Sequence, residues 1–420
     1  MSESAARPKP TISRGEWGIL LLLAAIQFTN VLDFVIMMPL APWAKLQFDI
    51  NSTEFSHAVG VYGIASALSS LMAAKYLDRF PRKSVLLAMY AGFTLSNLFC
   101  GLAPTYEWLV AARGMAGAFG GVLGSAVMAI IGDIFADYRR GTAMGVVMSA
   151  FAVSSVVGIP IGLTLARARG VGAPFVALAA LSTIVWLGVA RVFPHIPAHP
   201  DRRPVPLHAL IAHSGHLLAL AFTMALVMGS FIAIPFLADS MVANAGQVKE
   251  DMPIVYAIAG GFTFFTTNIS GRLADRYGKL RVFRIMGFLA VVMILVVTNL
   301  PPISLWLAVM IATAFMVTTS ARMVPAQALI TGSAIPAMRG GFLSLNSAMQ
   351  SAAMGLSSFI GGALIGQTAD GRLPGYPLVG LVAASMAIVS LVLAGFLRSA
   401  EVSPVRVPAR EEPAVVEASA

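Results

Sequence analysis

Apolar residues in this chain come in long unbroken runs. Stretches of low polarity fall at about 17–40, 54–76, 84–103, 107–131, 141–166 and 174–193. After a polar interval they resume at about 214–238, 252–270, 282–300, 303–330, 341–367 and 374–398. A helix needs about 20 apolar residues to cross a bilayer, and a barrel strand about half that. Lipid also forbids an isolated strand, whose backbone groups would stay unpaired. The pattern therefore predicts an all-α membrane protein with twelve transmembrane helices. The first run, Trp17 to Pro39, has no short apolar region ending in an Ala-x-Ala site, so it reads as a retained first span rather than a cleaved signal.

Composition agrees. Of 420 residues, 58% are hydrophobic and 11% charged, with a mean hydropathy of +0.82. Soluble domains carry about 25% charged residues, so most of this surface is expected to face lipid. The net charge of +9 is not read as a nucleic-acid signal, because the basic residues sit in short loops between apolar runs. Cys100 has no partner cysteine, which excludes an internal disulfide. His195, His199, His208, His213 and His216, at the middle of the chain, are read as solvated loop residues rather than a metal patch. No cofactor or metal is expected. No HExxH, paired-aspartate or nucleotide-binding motif is present, which argues against an enzyme and against an ATP-driven pump.

The basic residues also orient the chain. Of 28 Lys and Arg, 21 fall on the side of the two termini and of the middle interval, five on the opposite side and two inside spans. The positive-inside rule makes the side with the termini cytoplasmic. The two halves repeat each other. Ala74-Lys75-Tyr76-Leu77-Asp78-Arg79-Phe80-Pro81-Arg82-Lys83 corresponds to Gly271-Arg272-Leu273-Ala274-Asp275-Arg276-Tyr277-Gly278-Lys279 at an offset of 197. Arg140-Gly141 matches Arg339-Gly340 at 199, and Pro39 matches Pro235 at 196. The expected organisation is a disordered tail over 1–14, a six-helix bundle over 15–193, a link over 194–213, a second bundle over 214–398 and a disordered tail over 399–420. Parallel repeats of this kind place a binding site between them near the midplane.

These residues resemble the major facilitator superfamily over 15–398. The paired loop segments are similar to its Gly-x-Leu-Ala-Asp-Arg-x-Gly-Arg-Lys signature, the first copy departing at Ala74 and Pro81. Helix 4 carries Arg113, Gly117 and Gly121, similar to the family's Arg-x-x-x-Gly-x-x-x-Gly. Helix 5 carries Gly158-Ile159-Pro160-Ile161-Gly162, which looks most like the drug, sugar and nucleoside efflux permeases. The resemblance implies two six-helix pseudo-repeats around a central cavity, alternating access, and export of a small molecule in exchange for protons. An importer of the same fold is the alternative, with a receptor or a membrane-embedded enzyme more remote. A monomer in a plasma membrane of the bacterial inner-membrane type is expected.

Asp33 is the one carboxylate well inside a span of the first half. Ionised residues at a span centre cost about 2.5–3.5 kcal/mol on insertion scales, so such a residue normally faces a cavity. Gln27, Asn30, Asp33 and Met37 share one helix face. Asp33 is a proton-coupling candidate; the alternative is a local cap or pair near the helix end. The resemblance places Arg113 in the central cavity as its counter-charge. Arg322 in helix 10 is open to two readings, binding an anionic substrate or gating. Asn346 and Gln350, one turn apart on helix 11, are either cavity residues or interhelical glue. Ser154, Gly158, Pro160 and Gly162 read as a packing face that lets two bundles close outside the cavity. In the loops the resemblance implies gates. Asp78 would sit at the N-terminus of helix 11, and Arg82 would pair with Asp133 only when the cytoplasmic side is closed. Asp275 and Arg276 are their second-half counterparts.

Overall fold

A computed structural model describes residues 13–76, 79–135, 137–194, 206–335, 338–368 and 370–397. Among these residues all regular structure is helical, and twelve helices are long and apolar enough to cross a membrane. In the first half they are α1 (Gly15–Phe48), α2 (Ser52–Ala73), α3 (Arg82–Gly101), α4 (Tyr106–Ile134), α5 (Gly141–Arg169) and α6 (Gly172–Val192). In the second half they are α7 (Ser214–Ala243), α8 (Lys249–Tyr277), α9 (Lys279–Thr298), α10 (Leu305–Ser333), α11 (Arg339–Ile365) and α12 (Tyr376–Ala394). The bundle end where α1 begins and α12 finishes is called the tail end here, and the opposite end the far end.

Local chemistry fixes the helix boundaries and bends. Ser13 and Glu16 form a reciprocal capping box at the start of α1, with Ser13 N donating to Glu16 Oε2 at 2.8 Å and Glu16 N to Ser13 Oγ at 3.3 Å. This satisfies two amides that a helix start leaves open. Ser13 and Arg14, expected within the first tail, therefore belong to the helix and its cap. The link expected over 194–213 likewise contains a short helix, Leu207–Ile211. The rest of the expected tails lies largely outside the described residues. Pro39 and Pro235 each lack an amide to continue the ladder, and at each the helix tightens into a 3₁₀ turn, Met38–Leu40 in α1 and Ile234–Phe236 in α7. The two repeats thus bend at matching points. In α10, Pro325 leaves the carbonyl of Ala321 without its usual donor; Ser270 Oγ of α8 supplies one at 2.6 Å.

Small residues set how closely the helices pack. Ser154 Oγ donates to the carbonyl of Phe28 at 3.2 Å, and a Cβ on Gly158 or Gly162 would lie 2.7 Å or 2.6 Å from the side chains of Leu32 and Ile36. Both helices advance four residues per contact, so this is a ridge-into-groove seam between α5 and α1. Just before Pro160, α5 widens to a π turn over Ser154–Gly158, the usual relief where an inserted residue disturbs the ladder. The expectation that this face closes one bundle on the other needs correcting, since it seals α5 to α1 of the same half. Between halves, α5 instead offers its backbone at Ser155 and Val156 to Gly260 of α8.

The core shows how the halves meet. At the far end one continuous apolar core contains residues of both halves, among them Met37, Leu40, Phe55 and Phe175 with Phe236, Met241, Phe315 and Tyr376. Towards the tail end it divides. One cluster, around Leu23, Phe93, Leu123 and Val189, is confined to the first half. Another, around Phe222, Phe283, Ile330 and Phe342, is confined to the second. The apolar core is therefore continuous across the halves at the far end and divided between them towards the tail end.

The tightest joint is α2 against α11. A Cβ on Gly63 would stand 2.5 Å from the amide of Gly355 and 2.9 Å from the carbonyl of Ser351. Backbone cannot give way as a side-chain tip can, and overpacking of this kind costs about 1–3 kcal/mol. Gly63→Ala is expected to lower the thermal unfolding midpoint of the detergent-solubilised protein by several degrees. Gly145→Ala, where a Cβ meets nothing within 4 Å, should leave it nearly unchanged; equal midpoints would refute the close joint.

Candidate functional site

Four helices of the first half build a charged knot near the far end. Asp33 on α1 and Arg113 on α4 are both fully buried, and Arg113 Nη1 donates to Asp33 Oδ1 at 2.7 Å and to the Asp33 carbonyl at 3.2 Å. The guanidinium lies over the ring of Tyr62 on α2, 4.4 Å from its centre, and 5.8 Å from that of Phe175 on α6. An aromatic face attracts a cation, more strongly when both are desolvated. Asp33 Oδ2 and Arg113 Nε and Nη2 have no hydrogen-bond partner. Removing one member of such a pair costs about 3–5 kcal/mol, because the other charge is left uncompensated.

Asn30 extends the knot by one turn. Its Nδ2 donates to the carbonyl of Gly120 at 3.2 Å, and Tyr62 Oη donates to its Oδ1 at 3.2 Å. Gln27 follows one turn further towards the tails, half-buried, with Oε1 unpartnered. Met37 does not share this setting. It is fully buried in the far-end core, which corrects its expected place on the polar face; the 3₁₀ turn beginning at Met38 carries the chain into that core.

In the second half Arg322 is also fully buried. It stands at the junction of two helical segments of α10, Leu305–Ala321 and Met323–Ser333. Its Nη2 donates to Ser230 Oγ and to the carbonyl of Leu226 at 3.3 Å, both on α7. Nε and Nη1 have no partner, nor does Thr319 Oγ1 one turn earlier. Asn346 on α11 accepts a 2.6 Å hydrogen bond from Thr223 Oγ1 of α7, so it ties two helices together. Gln350 is half-buried on the same helix. Arg322 and Asn346 are each bonded to α7 but not to each other.

The far end carries a cluster that sequence reasoning missed. Lys45 Nζ lies 2.9 Å and 3.0 Å from the two carboxylate oxygens of Asp239. Ser52 Oγ accepts from Lys45 at 2.9 Å and donates to Asp239 Oδ2 at 2.7 Å, while Ser52 N donates to Gln367 Oε1 at 3.2 Å. Further bonds between halves run from Thr53 Oγ1 to the Gly362 carbonyl at 2.7 Å, from Ser358 Oγ to the Ser56 carbonyl at 2.9 Å, and between the hydroxyls of Ser66 and Ser351 at 3.2 Å. These bonds form a band from the far end to the middle of α2 and α11.

Two ion pairs at the tail end each lie within the first half. Arg82 Nε is 2.9 Å from Asp133 Oδ2, linking α3 to α4, and Arg139 pairs with Glu16 at 2.8 Å. Asp275 and Arg276 are exposed at the end of α8, where the Arg276 guanidinium sits 5.3 Å from the Tyr277 ring. Asp78 lies outside the described residues. So do His195 and His199. His216 is not the solvated loop residue expected: it is fully buried, with Nδ1 3.0 Å from the Leu210 carbonyl, Nε2 accepting from Ile335 N at 3.3 Å, and its ring stacked on Phe342. Among the described residues no three His, Cys, Asp or Glu side chains gather as a metal site.

Comparison with known proteins adds the following. The family model of the Major Facilitator Superfamily matches residues 23–321. The uncharacterized MFS-type transporter YceJ of Bacillus subtilis is 26% identical over 62% of this chain and 67% of its own length. Two Schizosaccharomyces pombe proteins match shorter stretches. The multidrug resistance protein fnx1 is 29% identical over 46% of this chain and 36% of its own. The vacuolar membrane amino acid uptake transporter fnx2 is 34% identical over 26% of this chain and 19% of its own. Among solved structures, a bacterial homologue of the human lysosomal transporter Spinster, in an inward-facing and occupied conformation, superposes with a TM-score of 0.75 at 16% identity, covering 92% of this chain and 97% of that one. Twelve spans, two halves that share an apolar core at one end, and a family match over most of its length identify this chain as a member of the Major Facilitator Superfamily, a multi-pass membrane transporter of small molecules.

Proposed function

We propose that this transporter exports a small molecule in exchange for protons, with Asp33 as the proton-carrying group. The observation that carries this reading is the Asp33–Arg113 pair, which lies near the far end and is buried while the halves are joined there. By the count of basic residues the far side is the outside of the cell and the tails are cytoplasmic, so the form described above, with the halves sharing a core at the far end, is closed to the outside. In an outward-open form the far-end joint parts and water enters beside the pair, and Asp33 takes a proton. Return to the inward-open form closes off the outside. The proton leaves towards the cytoplasm as the bond between Asp33 and Arg113, which is held by Tyr62 and Phe175, re-forms. Substrate leaves and protons enter on alternate half-cycles. The chain acts as a monomer in a plasma membrane, of the bacterial inner-membrane type.

The name of fnx1 agrees with export, whereas the uptake named in fnx2 is the specific point in favour of an importer. Direction is decided by transport in inverted vesicles with an imposed pH gradient. Asp33→Asn is expected to abolish gradient-driven transport while the protein still reaches the membrane and elutes as a single folded species. Transport by Asp33→Asn at the wild-type rate would remove Asp33 from the coupling step.

The Lys45–Asp239 pair is proposed as the outer gate. It joins α1 to α7 beyond their matching proline bends and cannot persist once the halves separate at that end. Asp239→Asn removes the charge attraction and shifts the balance towards the outward-open form. With Cys100 replaced by serine and Ser66→Cys introduced at the joint, the variant should react with an impermeant maleimide added outside about tenfold faster, the response to about 1.4 kcal/mol. Asp370→Asn, which breaks the Asp370–Arg372 contact between side chains 65% and 70% exposed, serves as the control because exposed pairs contribute about 0–1 kcal/mol. Equal labelling in all three proteins would discard the gate.

A further inference from the structure

Three charged residues lie well inside the spans, Asp33, Arg113 and Arg322. Asp33 and Arg113 compensate each other. Arg322 has no carboxylate within reach: its only bonds are to a hydroxyl and a backbone carbonyl, and two of its three nitrogens are unpartnered at zero exposure. Among the described residues the one acid buried in the second half, Asp239, is engaged by Lys45 at the far end. The interior therefore carries one uncompensated positive charge when Asp33 is ionised and two when it is protonated.

The repeat shows how this arose. Phe34 and Phe231 are separated by 197 residues, the offset of the two loop signatures, and their rings meet across the halves at 5.9 Å. The residues just before them are Asp33 and Ser230. Ser230 thus stands in α7 where α1 has its acid, and the arginine of the second half meets a hydroxyl where that of the first meets a carboxylate. An unpaired guanidinium in a dry interior is costly, and its planar donor set is suited to carboxylate or phosphate.

Building on the transport reading, we infer that Arg322 is the recognition point for the anionic group of the substrate, and that the cargo is an amphipathic organic anion bearing a carboxylate. The guanidinium, through Nε and Nη1, and Thr319 Oγ1 supply the polar end. The aromatic contact of Phe34 with Phe231, one residue from Ser230, supplies an apolar surface beside it. Substrate then balances the charge that the second half leaves open.

The test uses three probes with one body and three charges: 2-naphthoate, 2-naphthamide and 2-naphthylmethylammonium. Binding to the purified full chain in detergent is measured by equilibrium dialysis. The wild-type protein should bind naphthoate about tenfold or more tightly than either other probe, a contrast typical of charge-assisted hydrogen bonding. Arg322→Gln should bring naphthoate down to the level of the amide, and Arg322→Lys should keep part of the preference. A purely structural arginine would change thermal stability without changing the order of the probes. Failure of naphthoate to bind, equal binding of all three, or retention of the preference in Arg322→Gln each overturns the inference. The dialysis is run without a pH gradient, so a failed proton-coupling scheme and a failed anion site give different results.

Discussion

A charge in the middle of a bilayer-spanning bundle has no bulk water to fall back on, so the protein itself must supply its partner. The Asp33–Arg113 pair meets that demand within one half. Four helices converge on it: α1 and α4 bring the charges, while α2 and α6 bring the rings that bracket the cation. The short bonds between the two charges and the rings beside the cation offset part of the cost, and the small residues of α4 make that approach feasible. Gly120 lets Asn30 and Tyr62 approach the helix, and Gly117 and Gly121 seat the backbone of α2. The first half thus behaves as a unit whose internal electrostatics are complete without the second.

The second half repeats the scaffold but not the chemistry. Its central helix bends at Pro235 as α1 bends at Pro39, and the rings at matching positions touch across the divide. Ser230 stands at the position of the acid, and the arginine of α10 stands further along its helix than Arg113 does along α4. Two copies of one architecture have become a balanced site and an unbalanced one. That division suits a transporter, in which one site exchanges an ion and the other meets a cargo.

The parts legible in the sequence are those governed by solvent and by composition. Twelve spans follow from runs of apolar residues, since lipid leaves no other reading of them. Asp33 stands out because an acid inside a span is rare enough to need a reason. Other features depend on which side of a helix faces which neighbour, and periodicity alone does not reveal that. Met37 shares a face with Asp33 on an ideal helix, yet the turn at Pro39 carries it into the core. The small face of α5 matches α1 just as well as it would match a helix of the other half, and spacing cannot choose between them. His216 looks like a loop residue until its two ring nitrogens are seen to bridge Leu210 and Ile335. Lys45 and Asp239 were passed over because each, taken singly, is an ordinary charge at a helix end. The available signal was their relation: opposite signs, each within two turns after a matching proline, on the side where few basic residues fall.

That relation also separates gating from ion chemistry. Asp33 and Lys45 lie on the same helix, before and after its bend, as Ser230 and Asp239 do on α7. The Asp33–Arg113 contact is internal to one half, so parting of the halves admits water beside it without pulling its two members apart. The Lys45–Asp239 contact spans both halves and is lost whenever they part at the far end. A proton arriving at Asp33 acts on the first; movement of the halves acts on the second. Because both sit on the bent central helices, a change at one is communicated through about three to four turns of helix, without any relay through the outer spans.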